Sequence, residues 1–234
     1  RRNEGKIHLG LVYAGESDAR TAALMLEGAL SFGPIVRGWI GHDAWRRLAI
    51  STPYHYLVHR DSLLPAPRLR RHYAAVQRLY EHTLNGLPPG AVADYLGESP
   101  ASLWRPLQPG ELAAYRGAPV LTGFATAERA IDPAGLCDAI SHRLLHDPAI
   151  TWLGDTTVEA VEPAGDALRI MGRRGGDTWA SRQAVVVNAT WDSRLAIDRT
   201  MGLPAPASHL LRLKYRVLVA LPEGLRGAHS QTMV

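Results

Sequence analysis

The stretch Thr151–Trp191, TWLGDTTVEAVEPAGDALRIMGRRGGDTWASRQAVVVNATW, constrains the fold more than any other part of the chain. Polar and apolar residues alternate over Thr157–Glu162, Ala167–Arg173 and Thr178–Arg182. The clusters Pro163-Ala164-Gly165-Asp166 and Arg174-Gly175-Gly176-Asp177 separate the three segments. Alternation predicts strands with one wet face and the glycine clusters predict tight turns, so the three make an antiparallel meander. Ala184–Ala189 (AVVVNA) is an unbroken apolar run, which predicts a strand covered on both faces, as in a parallel sheet. Short, apolar Ile150–Leu153 predicts a further strand ahead of the meander. The usual crossover between parallel strands is a helix. A meander in its place is a narrower pattern.

The rest of the chain predicts a mixture of helices and strands. Lys6–Tyr13 reads as a strand. Ser17–Phe32 reads as a helix with Ser17 or Asp18 as N-cap, an apolar face of Ala22, Met25, Leu26, Ala29 and Leu30, and a stop at Gly33-Pro34. A second helical pattern over Ile35–Ile50 places Trp39 and Trp45 in the core. Pro53–His59 alternates, with Tyr54, Tyr56 and Val58 on one face. Leu69–Leu84 is the clearest amphipathic helix, with Leu69, Tyr73, Val76 and Tyr80 at helical spacing. Pro100–Pro119 is a loop-bearing connection, and Val120–Glu128 is strand-like and uncharged until its end. Asp132 and Pro133 are the N-cap and first position of a helix whose core face is Leu136, Ile140 and Leu144. Asp192-Ser193-Arg194 opens a short helix toward Met201-Gly202. His209–Leu221 alternates as a strand, and His229–Val234 looks like the start of another. Arg1 opens the chain and a strand pattern closes it, so the sequence reads as an internal piece of a longer protein.

Composition narrows the function classes. A chain of 234 residues with 46% hydrophobic and 21% charged residues can bury a sizeable core. A net charge of +4 with scattered arginines predicts solvated faces and no nucleic-acid partner. No apolar run approaches the ~20 residues of a membrane span, and a cytoplasmic location is expected. The single cysteine, Cys137, sits in a helical pattern and reads as a structural thiol. His142 and His146 lie four apart without a third ligand nearby, so no metal site is expected. No G-x-S-x-G motif points to a hydrolase.

The meander followed by Val186-Val187-Asn188-Ala189-Thr190-Trp191, together with the opening Arg2-Asn3-Glu4-Gly5-Lys6, resembles FAD-dependent oxidoreductases of the D-amino acid oxidase type. The glycine that the family carries before the tryptophan is absent here, and no G-x-G-x-x-G occurs in the chain. The resemblance implies an α/β fold of mixed α+β character: part of a Rossmann-like FAD-binding domain with a β-meander crossover (residues 1–32 and 131–203), plus a mixed-sheet substrate domain (33–130 and 204–234). It implies FAD as cofactor. Arg2, Asn3, Glu4, Gly5 and Lys6 would lie by the pyrophosphate and flavin. Val158 would meet the adenine through its backbone. Asn188, Ala189, Thr190 and Trp191 would end a buried strand at the cofactor. Tyr54 and Tyr56 would offer hydroxyls to a substrate carboxylate, and His8 would come near the reactive side of the ring.

The implied activity is oxidation of a C–N bond of a small-molecule amine or amino acid by hydride transfer to flavin. Read as residues alone, the same features also suit a charged terminus leading into a strand, a tyrosine pair on a half-buried sheet face and a structural histidine. The alternative from another class is a non-catalytic α/β ligand-binding domain.

Overall fold

The computed structural model describes residues 5–206 and 230–233. The predicted strand over His209–Leu221, and Arg2, Asn3 and Glu4, lie outside the described residues. The chain divides into two compact units after Asp147, with residues 230–233 belonging to the first. The architecture is mixed α/β, with helices and several mainly antiparallel sheets.

In the first unit, β1 (Lys6–Ile7) pairs antiparallel with β5 (Arg129–Ala130). The remaining strands form a sheet of order β3 (Trp104–Pro106), β4 (Val120–Thr126), β2 (Tyr54–His59) and β9 (Ser230–Met233). Strand β9 is parallel to β2, and the other neighbours are antiparallel. Helix α3 (Ala66–Asn85) brings Leu69, Tyr73, Val76 and Tyr80 into the core, as their spacing predicts. Tyr73 meets Phe124 edge-on at 5.0 Å and Trp104 at 5.6 Å between ring centroids. Each such aromatic pair adds about 0.5–1.5 kcal/mol beyond the area it buries. Strand β2 is buried on both faces over His55–Val58, which its half-polar sequence does not announce.

Helix α1 (Arg20–Ile40) runs through the Gly33-Pro34 stop that the sequence predicts. A proline inside a helix costs about 3 kcal/mol. The helix packs closely on both sides of it. Gly33 is buried close to Asp94 and Leu96, where a Cβ would stand 3.1 Å from Asp94 Oδ1. One turn on, Arg37 pairs with that same Asp94. Asp18 accepts the Arg20 N–H at 3.0 Å, just ahead of the helix. The buried stripe of α1 is Ala22, Leu26, Ala29, Gly33 and Val36. Trp39 falls off that stripe and is 60% exposed, whereas Trp45, in α2 (His42–Arg46), is buried. The strand expected over Lys6–Tyr13 stops at Ile7, and Leu11–Tyr13 is a turn of 3₁₀ helix. A short helix α4 (Pro109–Leu112) interrupts the Pro100–Pro119 connection. Helix α5 (Pro133–His146) starts as predicted, with the Asp132 carboxylate accepting N–H groups of Ala134 and Gly135 at 3.0 and 2.9 Å.

In the second unit, β6 (Thr156–Ala164), β7 (Ala167–Arg174) and β8 (Asp177–Gln183) form the predicted meander. Ala164 pairs with Ala167, and Arg174 with Asp177, so the loops are Gly165-Asp166 and Gly175-Gly176. Gly175 and Gly176 both have positive φ, the geometry of the mirror-image turns that suit twisted hairpins. Helix α6 (Arg194–Thr200) is tied to β6: Val161 N–H donates to Thr200 Oγ1 at 2.9 Å, and Ile197 and Val161 are buried.

The expected strands over Ile150–Leu153 and Ala184–Ala189 are not formed. A strand buried on both faces needs neighbours on both edges, and among the described residues nothing pairs with either segment. Val185 and Val187 are accordingly 78% and 84% exposed.

Candidate functional site

The first unit holds a buried carboxylate, Glu128, with 0% of its surface exposed. It lies between β4 and β5, and its backbone is pinned on both sides. The Glu128 carbonyl accepts the Tyr54 N–H at 2.9 Å. The Glu128 N–H donates to Thr126 Oγ1 at 3.3 Å, and that hydroxyl donates to the Tyr54 carbonyl at 2.8 Å. The side chain is therefore turned inward by the meeting of β2 with the end of β4.

Three groups meet the carboxylate. Leu9 N–H donates to Oε1 at 2.8 Å. The Tyr56 hydroxyl donates to Oε2. His8 Nδ1 lies 3.3 Å from the same oxygen. An unpaired charge in an apolar interior is costly, and three hydrogen-bond partners are what make it tenable. Burial, followed by the Glu128 charge, raises the Tyr56 hydroxyl well above the usual tyrosine range, so it stays a neutral donor. Burial raises Tyr73 and Tyr95 in the same direction. Tyr95 accepts the Arg129 N–H at 2.8 Å and donates to the Ile7 carbonyl at 2.7 Å, tying the β1–β5 pair to the core. The Tyr73 hydroxyl is buried without a hydrogen-bond partner.

Lys6 completes the cluster. Its ammonium stands over the Tyr54 ring at 4.0 Å from the centroid and 5.2 Å from that of Tyr56. It donates to Thr232 Oγ1 at 2.6 Å, which joins β1 to β9. A lysine over two aromatic faces is held by cation–π attraction of about 0.5–2 kcal/mol. The cluster thus offers an imidazole and a phenol on one buried acid, with a cation and a second phenol beside that phenol.

The structure brings together Lys6, His8, Tyr54 and Tyr56, four of the residues singled out from the sequence. Gly5 is adjacent but has a different reason for being glycine. Its φ is +78°, and a Cβ there would fall 2.1 Å from the Ile131 carbonyl oxygen. The close approach is thus to the chain itself. Val158, Asn188, Ala189, Thr190 and Trp191 lie in the second unit. Val158 pairs with Gly172 beside a register shift in β6. The Asn188 amide donates to the Arg194 carbonyl at 3.1 Å and to Asp198 Oδ1 at 2.7 Å, while Oδ1 accepts from Thr190 Oγ1 at 2.7 Å. That side chain orders the entry to α6. Ala189 and Thr190 are exposed, and Trp191 is 90% exposed with a φ of 56°.

Sequence reasoning passed over Glu128, which reads only as the polar end of an apolar strand. Its neighbours His8 and Tyr56 are 120 and 72 residues away, so no local spacing announces the cluster. Elsewhere in the first unit an open groove is lined by Gly41, His42, Arg47, Leu48, His142 and Arg143, and it shares no residue with the cluster. His142 and His146 stack on one another at 4.2 Å, and among the described residues no group of three metal-binding side chains occurs. No described helix is long and apolar enough to cross a membrane.

No family model matches the chain, and no curated protein matches it. Fold and site define a mixed α/β protein whose first unit carries a polar cluster centred on a carboxylate.

Proposed function

We propose that the chain belongs to an FAD-dependent oxidoreductase of the D-amino acid oxidase type, which oxidises a C–N bond of an amino acid or related amine. The observation that carries this reading is a contiguous cluster in which His8 and Tyr56 meet the Glu128 carboxylate and Lys6 stands over the rings of Tyr54 and Tyr56. Lys6 and His8 come from one stretch of the sequence and Tyr54 and Tyr56 from another, and the family resemblance implies a cofactor or substrate role for each.

The donor set suits the cofactor's chemistry. An isoalloxazine ring presents carbonyl oxygens and ring nitrogens that accept hydrogen bonds, and its reduced form is anionic or readily made so. Lys6 supplies a fixed cation for that charge, and the tyrosine rings restrict its movement. Bound flavin would supply hydride acceptance, the chemistry that amino-acid side chains lack. The chain's own residues then bind and orient. Lys6 attracts negative charge, and the hydroxyl of Tyr54 serves a substrate carboxylate. In this reading Tyr56 acts indirectly, because its hydroxyl is committed to Glu128. In the second unit, taken by itself, Asn188 holds the Ala189–Trp191 turn in shape. FAD is the expected cofactor and a small amine or amino acid the expected partner.

The test is anaerobic. The chain is equilibrated with FAD and challenged with a panel of amino acids and N-methylated amines, and the visible flavin absorbance is followed. This readout does not depend on the electron acceptor. Bleaching by amines but not by the matching hydroxy acids is the expected result. Bound flavin that no amine bleaches would favour the non-catalytic ligand-binding domain and overturn the oxidoreductase.

A further inference from the structure

We propose that the groove between the α1–α2 corner and α5 is a second binding site, which takes a phosphate monoester with a small apolar body. The groove shares no residue with the Glu128 cluster, so this site stands apart from the oxidoreductase reading.

Gly41 makes the corner. Its N–H closes the last turn of α1 on the Arg37 carbonyl at 2.9 Å, and its φ of +83° turns the chain into α2. On α5, Gly135, Ala139, His142 and Arg143 recur at helical spacing and share one face. A Cβ at Gly135 would stand 3.5 Å from Leu48 Cδ2, so the two walls touch at that level. Above it the lining is short on both sides, with Gly41 and Ala44 on one wall and Gly135 and Ala139 on the other. Small residues there leave a groove of about 680 Å³. Sites for small organic molecules run from about 300 to 1,000 Å³.

The polar part of the lining is cationic. Arg47 stands on one wall and Arg143 on the other, against a single lining acid, Asp43. Asp43 is already engaged by Arg46, which does not line the groove. Arg143 gives one N–H to Asp147 at 2.9 Å and keeps its other guanidinium donors. Among the described residues no carboxylate pairs with Arg47. His42 and His142 each add at least one ring N–H in either charge state. The His142 ring is steadied by its stack on His146. Donors on both walls select for a tetrahedral oxyanion. A carboxylate has two oxygens in one plane, and a single guanidinium satisfies both. A phosphate monoester has three terminal oxygens and nearly two charges, so it accepts from Arg47 and from α5 at once. The phosphoryl group alone leaves most of the groove unfilled, and Ile40, Leu48 and Ala139 give its ester group an apolar bed.

The test is isothermal titration calorimetry of the full chain with phenyl phosphate at pH 8, where the monoester is a dianion. Benzoate and inorganic phosphate are titrated alongside. Phenyl phosphate is expected to bind saturably and one-to-one, at least about tenfold tighter than benzoate, which lacks the third oxygen, or inorganic phosphate, which lacks the ring. Arg47→Ala is expected to weaken it at least about tenfold. Ala139→Leu keeps every cation but fills the groove, and is expected to weaken it as much. Arg174→Ala removes an exposed cation of the second unit and is expected to change nothing. No saturable binding of phenyl phosphate overturns the proposal, as does benzoate or inorganic phosphate binding equally tightly. So does a folded Arg47→Ala or Ala139→Leu chain that binds as the wild type does, or an Arg174→Ala chain weakened as much as Arg47→Ala. If Ala139→Leu does not fold, by circular dichroism, Arg47→Ala and the three ligands decide. The flavin reading is untouched by any of these outcomes.

Discussion

The hydroxyl of Tyr56 and the carboxylate of Glu128, 72 residues apart in sequence, meet in the interior of the first unit with neither residue exposed. One side of this contact is a strand centre and the other a two-residue turn after the neighbouring strand. The bond therefore reports whether β2 and β4 are in register. Tyr56→Phe removes the donor and keeps the ring, so a buried carboxylate oxygen loses one partner. The expected loss is about 1–3 kcal/mol in urea unfolding, with the unfolding slope unchanged.

Alkaline pH should unfold the first unit through the same tyrosines. Tyr56, Tyr73 and Tyr95 all have their hydroxyls raised above the ordinary value of 10.0, chiefly by burial. A raised value in the fold means that the unfolded chain gives up its proton first. Their contribution to stability is therefore complete below pH 10 and declines as pH rises above it. Each tyrosine that stays neutral in the fold removes about 1.4 kcal/mol per pH unit in that range. Chemical denaturation at a series of pH values above 9 should show the fall, and Tyr73→Phe should make it shallower.

Gly172 and Gly176 should differ sharply. A Cβ at Gly172 would stand 1.9 Å from the Thr157 carbonyl oxygen, in the middle of the β6–β7 ladder. Gly172→Ala must push the two strands apart and should cost at least about 2 kcal/mol, with faster amide exchange along both strands. Gly176 has a φ of +96° but open space around its Cβ position. Gly176→Ala should cost only the turn strain, about 1 kcal/mol.

Asp132→Ala tests a helix start that both sequence and structure define. It frees the N–H groups of Ala134 and Gly135 at the head of α5. The expected loss is about 0.5–2 kcal/mol, and Asp132→Asn should recover most of it.

These sites also mark how far the sequence could be read. The meander, α3 and the α5 cap were legible because each is set by local signals: alternation with glycine turns, a four-residue apolar stripe, and a cap followed by proline. The continuity of α1 through Gly33-Pro34 was not, because the contacts of that stretch are remote in sequence: Asp94, which pairs with Arg37, lies 57 residues away. The runs Ile150–Leu153 and Ala184–Ala189 carry strand propensity, but a strand exists only where another chain segment pairs with it. At the candidate site, Lys6, His8, Tyr54 and Tyr56 could be named through the family resemblance. Glu128 could not, since an acid closing an apolar strand is usually solvated, and only the folded unit turns this one inward.

The central claim is that this chain contributes to a flavin site, and the most direct measurement is an equilibrium titration of the full chain with FAD. Binding is followed by the visible flavin bands and by quenching of flavin fluorescence, in the wild type and in Lys6→Ala. The account predicts saturable one-to-one binding in the wild type, weakened at least about tenfold (about 1.4 kcal/mol) in Lys6→Ala, with Lys6→Ala still folded at the titration temperature by circular dichroism. Saturable binding that Lys6→Ala leaves untouched would contradict the site, and a folded wild-type chain that binds no FAD would contradict the function.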